Sequence, residues 1–182
     1  MSKGTKGNAL AARVQMLAWA VANSDDTRPC LRHIYCDGEN IVATNGKIMV
    51  FTENIEKLPV GFYDYCTTGS GRSKEGKFVP VTDEKAKDWH YPEWKNVVPK
   101  WTGGAGEKEI EFRGDSTGIE AEIFKLQFSL ASYEAESLIA QEYIDLIVKT
   151  GLTYKVRMTD GRLPILLSAG ECFSMVDRKS VV

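Results

Sequence analysis

No two of the four cysteines (Cys30, Cys36, Cys66, Cys172) stand at CxxC spacing, and no paired framework joins them. That excludes a zinc knuckle or a disulfide scaffold and points to reduced thiols in a cytoplasmic protein. No stretch approaches the ~18 apolar residues that a membrane span needs. Neither charge dominates: 23 Lys and Arg stand against 25 Asp and Glu, a net of −2, so nothing global draws the chain to nucleic acid or an anionic membrane, although local charge can differ. The two histidines, His33 and His90, are far apart and lack ligand partners at a familiar spacing, so no metal is expected. No serine sits in a nucleophile elbow. The one phosphate-loop lookalike, "GRSKEGK" at Gly71–Lys77, is followed by Phe78 where a Ser or Thr is required. Pro80 follows, so no helix N-terminus would face a phosphate. Glu107, Glu109 and Glu111 alternate along one strand, which describes the wet side of a sheet better than a carboxylate site. These absences leave no catalytic motif and call for no cofactor. An enzyme working through an unrecognised site is the minor reading.

What is present is a helix and a series of short strands, on a chain long enough to bury a core of its own. Leu10, Val14, Leu17, Ala18 and Val21 recur at helical spacing, with Asn8 as a plausible N-cap and "NSDDTRP" as the stop. Arg13 and Gln15 interrupt the apolar run, which argues for an amphipathic helix over a secretory leader. "CLRHIYC", "IVATNGKIMVF" and "VGFYDYC" read as strands. "TTGSGRSKEGK" reads as an exposed loop, and "TGGAGE" marks the best internal boundary. Beyond it, "KEIEFR", "GIEAEIFKLQFSLA" and "YEAESLIA" read as strands, and "QEYIDLIVK" as a short helix stopped by Gly151. "YKVRMT", "LPILLS" and "CFSMV" are the last strands. Each end of the chain thus gives a helix and then short strands, a weak internal duplication. The expected fold is α+β: one domain of two similar helix-plus-antiparallel-sheet halves, 1–88 and 106–182, around a linker element at 89–105.

Three stretches in order resemble the bacterial DNA polymerase processivity clamp, the β sliding clamp family. In "DTRPCLRHIYCDGENIVATNGKIMV", Arg28, Leu31, Ala43, Thr44 and Gly46 fit the family's pattern. Asn45, Lys47, Ile48 and Met49 replace its Asp, His, Arg and Leu. "YPEWKNVVPK", Tyr91 to Lys100, resembles the element that leads from one clamp domain into the next, and the run from Gln141 to Val176 follows the family's closing helix and strands. A clamp subunit has three such domains and this chain has room for about one, so the resemblance is to a truncated, single-domain form. The helix that the family places before the linker element is replaced here by the Gly/Ser/Lys loop.

The resemblance implies a groove that captures short peptides of polymerases or other proteins with a clamp-binding motif. Carried over by position it nominates Thr44, Gly46, Lys47, Ile48, Met49, Pro92, Val97, Met175 and Val176. Their chemistry agrees: a glycine for close backbone approach, a soft apolar surface, and Lys47 to attract an acidic residue. The plainer alternative is that "ATNGKIM" is only a hairpin with core residues. The family also implies duplex DNA inside a ring, which here would need a homo-oligomer of about six copies. The available cations are Lys3, Lys6, Arg13, Arg72, Lys74, Lys77 and Lys149, a thin lining beside Glu142 and Asp145. Two readings follow: a clamp-like replication accessory protein on DNA, or a ring-less peptide-binding module without DNA binding.

Overall fold

The computed structural model describes residues 4–22, 24, 27–68, 75–99, 108–112, 126, 141–149, 152–158, 165–169 and 173–177. Its frame is one antiparallel sheet of nine strands. In chain order they are β1 (Ile34–Cys36), β2 (Asn40–Thr44), β3 (Ile48–Glu53), β4 (Gly61–Thr68), β5 (Glu75–Pro80), β6 (Lys108–Phe112), β7 (Tyr154–Met158), β8 (Ile165–Ala169) and β9 (Phe173–Asp177). Across the sheet the order is β5-β4-β1-β2-β3-β9-β8-β7-β6. Two helices complete the frame, α1 (Gly4–Ala22) and α2 (Gln141–Lys149).

The duplication read from the sequence takes a definite form. α1 precedes the meander β1-β2-β3 and α2 precedes the meander β7-β8-β9, and the third strands of the two units pair antiparallel, Ile48 opposite Asp177 through Thr52 opposite Phe173. The halves therefore meet at β3 and β9, with β4, β5 and β6 added outside them. The fold is α+β, with one antiparallel sheet shared by two helix-plus-meander units, as expected.

Side-chain alternation along the central strands separates two cores. Ile41, Ala43, Ile48, Val50, Ile165 and Leu167 join Met16, Leu17 and Ala20 of α1 and Tyr143, Ile144 and Ile147 of α2 in one cluster. Each large aliphatic side chain buried there contributes about 1.5–3 kcal/mol. The helices touch through Trp19 and Tyr143, edge to face at 5.8 Å. Val42, Met49 and Leu166 point to the opposite face, where Trp94 covers them. Central strands buried on both faces explain the near-continuous apolar run of "IVATNGKIMVF".

Several local expectations are corrected. α1 begins at Gly4, not at an Asn8 cap, and its buried residues include Arg13, Met16 and Ala20 beside Val14 and Leu17, while Ala18 and Val21 are only partly buried. "CLRHIYC" opens as a 3-10 turn, Pro29–Arg32, before the short β1. Proline suits a first helical position because its missing N–H is an orphan there, and the Leu31 amide donates to the Arg28 carbonyl at 3.1 Å. The supposed loop "TTGSGRSKEGK" supplies the end of β4 and the start of β5. Tyr65 lies over Gly76 so closely that a Cβ there would overlap its phenol, so the glycine that suggested a loop instead makes room for an aromatic ring on an edge strand. That strand removes the phosphate-loop alternative at Gly76 and Lys77. Glu109 and Glu111 lie opposite Arg157 and Lys155 on β7, consistent with a sheet surface. Of the strands expected at 118–131 and 133–140 only Leu126 is described, in helical conformation and exposed; the rest, and Gly151, lie outside the described residues.

Candidate functional site

The opening hairpin and the linker element build one site. At the β2-β3 turn, Thr44 pairs with Met49 and the Asn45 amide donates to the Ile48 carbonyl at 3.2 Å. That leaves Gly46 and Lys47 as the two turn residues. Gly46 has φ +84°, at the position where a two-residue II′ hairpin takes glycine. The two residues at the tip of the turn are thus Gly46 and Lys47. Asn45 has another task. Its side chain, in a residue 5% exposed, accepts from the amides of Lys47 (3.0 Å) and Ile48 (2.8 Å). The Thr44 hydroxyl donates to the Ile48 carbonyl (2.6 Å) and accepts from the Gly46 amide (3.0 Å). Every amide from Asn45 to Ile48 is therefore used inside the turn.

The linker element crosses the sheet face opposite the helices as a strap. Two short 3-10 turns, Glu84–Asp88 and Trp94–Asn96, shape it. Trp89 stacks on His33 at 5.0 Å and meets Phe62 edge-on, Tyr91 stacks on Tyr35 at 4.7 Å, and Trp94 packs on Phe51 at 4.9 Å. His33 Nδ1 also lies 2.8 Å from an Asp64 carboxylate oxygen. The aromatic residues of "WHYPEW" thus anchor the strap to the sheet. Lys95 ties it to the β1-β2 turn through Asp37 (3.3 Å) and Glu39 (3.5 Å).

Asp37 is the polar hinge of that tie. Burial raises its carboxyl pKa, but hydrogen bonds from the Asn40 and Glu39 amides and the Lys95 ammonium outweigh this, so the net shift is downward. A carboxylate depressed in the folded state stabilises above the ordinary unfolded value of about 3.9, and this contribution is lost as pH falls through the folded value. Asp37→Ala is expected to cost about 1–2 kcal/mol at pH 7, since two turn amides lose their acceptor. Its deficit against wild type should narrow below about pH 4, as thermal melts across pH 3–8 would show; a deficit that widens on acidification would refute this account.

Between the turn and the strap lies a pocket of about 120 Å³. An apolar cavity of about 150 Å³ accepts a benzene, so this one has room for a single large side chain. Arg28, Leu31, Thr44, Gly46, Lys47, Ile48, Met49, Tyr91, Pro92, Trp94 and Val97 line it. Seven of the nine nominated residues are thereby brought together, from segments about 45 residues apart. The other two lie on β9: Val176 pairs with Met49 and Leu166, which face the strap, whereas Met175 pairs with Val50 and Leu167, which belong to the helix-side core. Arg28, Leu31, Tyr91 and Trp94 were not nominated. All four stand within the motif stretches, Arg28 and Leu31 in the first and Tyr91 and Trp94 in the second, but their packing against the turn is a tertiary contact that the sequence does not signal.

Among the described residues the nominated cations stand on separate elements. Arg13 is 7% exposed on α1. Lys77 is exposed on the edge strand β5, opposite Cys66. Lys6 lies on α1 and Lys149 ends α2, while Lys3, Arg72 and Lys74 fall outside the described residues. Among the described residues no three His, Cys, Asp or Glu lie together as a metal site, and no helix is long and apolar enough to cross a membrane.

No protein-family profile and no curated protein matches the chain. Solved structures do. A Helicobacter pylori beta clamp bound to a DNA ligase peptide aligns over 95% of this chain at TM-score 0.50 and 12% identity. A beta clamp of the same organism in complex with 3,4-difluorobenzamide aligns over 96% at TM-score 0.53 and 11% identity, and one in complex with diflunisal over 95% at 0.50 and 13%. The match spans 64% of the clamp chain in each case. At this identity the likeness is one of fold: the chain has the architecture of a beta clamp.

Proposed function

We propose that this chain is a clamp-like replication accessory protein whose working part is the pocket between the β2-β3 turn and the strap, and that the pocket holds short peptides of a DNA polymerase or of other proteins with a clamp-binding motif. It acts in this reading as a binding protein of the cytoplasm and not as an enzyme. The observation that carries it is the convergence of Thr44–Met49 with Pro92 and Val97 on one side-chain-sized apolar cavity. A hairpin that served only its own core would have no reason to leave an open cavity against a second segment. That a clamp of the same fold was solved with a DNA ligase peptide supports a peptide as occupant.

The test is fluorescence anisotropy with a labelled peptide carrying a leucine–phenylalanine pair. We expect saturable binding, weakened about tenfold by Met49→Ala, since a truncated Met side chain forfeits about 1–2 kcal/mol of apolar contact. Binding unchanged by Met49→Ala, or none at millimolar peptide, would overturn the reading. Molar mass by light scattering, with and without duplex DNA at low salt, separates the two forms of the proposal. A closed oligomer that retains DNA marks a ring, and a ~20 kDa monomer that ignores DNA marks the ring-less module.

A further inference from the structure

The two walls of the pocket are held in different ways. On the turn side, the amides of Asn45, Gly46, Lys47 and Ile48 are all engaged within the hairpin, so that wall is fixed. The strap side has no such ties. Its amides at Ala86, Trp89, Asn96 and Val97 donate to the carbonyls of Asp83, Ala86, Glu93 and Trp94, all within the strap itself. The last backbone bond to the sheet runs from the Val81 amide to the Phe62 carbonyl at 2.9 Å, and among the described residues none beyond it, up to Val97, reaches a strand. Side chains alone hold the strap down, so it can leave the sheet without breaking a ladder.

Those side chains are unequal. Trp94 is buried on Val42, Met49 and Leu166 and acts as a fixed post. Between Val81 and that post the strap rests on two partly buried stacks, Trp89 on His33 and Tyr91 on Tyr35. The second stack carries a cost. The Tyr91 hydroxyl is buried and finds no hydrogen-bond partner among the described residues; burial also pushes its pKa up. A hydroxyl that has lost its water without replacement penalises the closed strap, and a lifted strap sheds that penalty. Tyr91 and Pro92 line the pocket and Trp89 does not, so movement of this stretch changes the opening directly. We propose that Trp89–Pro92 is a gate that lifts between the Val81 tie and the Trp94 post to admit an occupant and then closes over it, and that the Tyr91 hydroxyl keeps this gate poised to open.

The deciding experiment needs no ligand. An open state that costs only side-chain contacts is populated at about 0.1–10%, and relaxation dispersion reads its microsecond-to-millisecond exchange. In the full chain, the amides of Trp89, His90 and Tyr91 are expected to share one exchange process while those of Gly46, Lys47 and Ile48 stay flat. Tyr91→Phe keeps the ring on Tyr35 and should cut the open population about tenfold, the worth of an unpaired buried hydroxyl. Its Tm should equal or exceed that of wild type. Trp89→Ala removes one stack and should raise the open population about fivefold. No shared process in the strap, or an open population that Tyr91→Phe leaves unchanged or raises, overturns the gate. A lower Tm for Tyr91→Phe also overturns it, because the hydroxyl would then be paired. A kinetic arm rests on the peptide reading above. Entry and exit both wait on opening, so Trp89→Ala should speed association and dissociation of the leucine–phenylalanine peptide alike, about fivefold each, with Kd close to wild type. A change in dissociation alone overturns the gate. A peptide that does not bind at all overturns the peptide reading, and the ligand-free exchange still decides the gate.

Discussion

Trp94→Ala is expected to lower stability by about 3–5 kcal/mol, the range for emptying a buried Trp or Phe site. For a chain of this size, that corresponds to a fall in Tm of about 10 °C. Trp94 is 8% exposed and covers Val42, Met49 and Leu166, the apolar residues of the sheet face that the helices do not reach. Its ring lies 4.9 Å from Phe51 at an interplanar angle of 43°. Removing it leaves the stretch beside it held by the exposed ion pairs of Lys95 with Asp37 and Glu39, while the ring contacts of Trp89 and Tyr91 hold the strap further along. Exposed ion pairs contribute little, so the strap should lift locally before the sheet melts. Peptide binding is therefore expected to vanish even at temperatures where circular dichroism still reports a folded sheet. Trp94→Phe keeps an aromatic on Phe51 and should recover more than half of the loss. A melt within 2 °C of wild type for Trp94→Ala would show that the strap does not depend on this contact.

The parts of the fold that the sequence made legible are those in which local chemistry and tertiary demand agree. "QEYIDLIVK" is short, amphipathic and without a competing signal, and it forms α2. "YKVRM" and "ILLSA" form β7 and β8. Failures occur where a distant partner decides. Gly76 signals a loop until Tyr65 across the ladder lies over it. The periodicity around Leu17 finds the correct side of α1 but not the full buried stripe, which also takes in Arg13, Met16 and Ala20. The site divides in the same way. Thr44 to Met49 are contiguous and carry their own turn chemistry, so they could be named in advance. Trp94 is one of four tryptophans, and nothing local to it distinguishes a pocket floor from an exposed interface.

That division also bears on how the site tolerates sequence change. The resembling family has Asp where this chain has Asn45, and His, Arg and Leu where it has Lys47, Ile48 and Met49. The replaced position that keeps its chemistry is the one whose side chain holds the turn, since both Asn and Asp present an oxygen that accepts from amides two and three residues ahead. Positions 48 and 49 instead follow the alternation of β3, with Ile48 toward the helices and Met49 toward the strap. The backbone that frames the pocket and the side chains that line it are thus specified by different residues, and they can vary independently.

Asn45→Ala separates the two. Its side chain is the acceptor for the Lys47 and Ile48 amides, in a residue 5% exposed. Leaving a buried amide without an acceptor costs about 1–3 kcal/mol. The Ile48 amide is buried and the Lys47 amide is closer to solvent, so the expected loss is about 2–3 kcal/mol. Asn45→Asp keeps two acceptor oxygens and should lie within about 1 kcal/mol of wild type, since amide donors and the neighbouring Lys47 offset the burial of a charge. The comparison has a second readout. Gly46 and Lys47 line the pocket but do not hold it; if Asn45 fixes their placement, Asn45→Ala should weaken peptide binding at 10 °C, where the variant remains folded, and Asn45→Asp should restore it. Equal peptide affinity for the alanine and aspartate variants would mean that the pocket wall keeps its shape without Asn45, and that the turn's hydrogen bonds serve the hairpin alone.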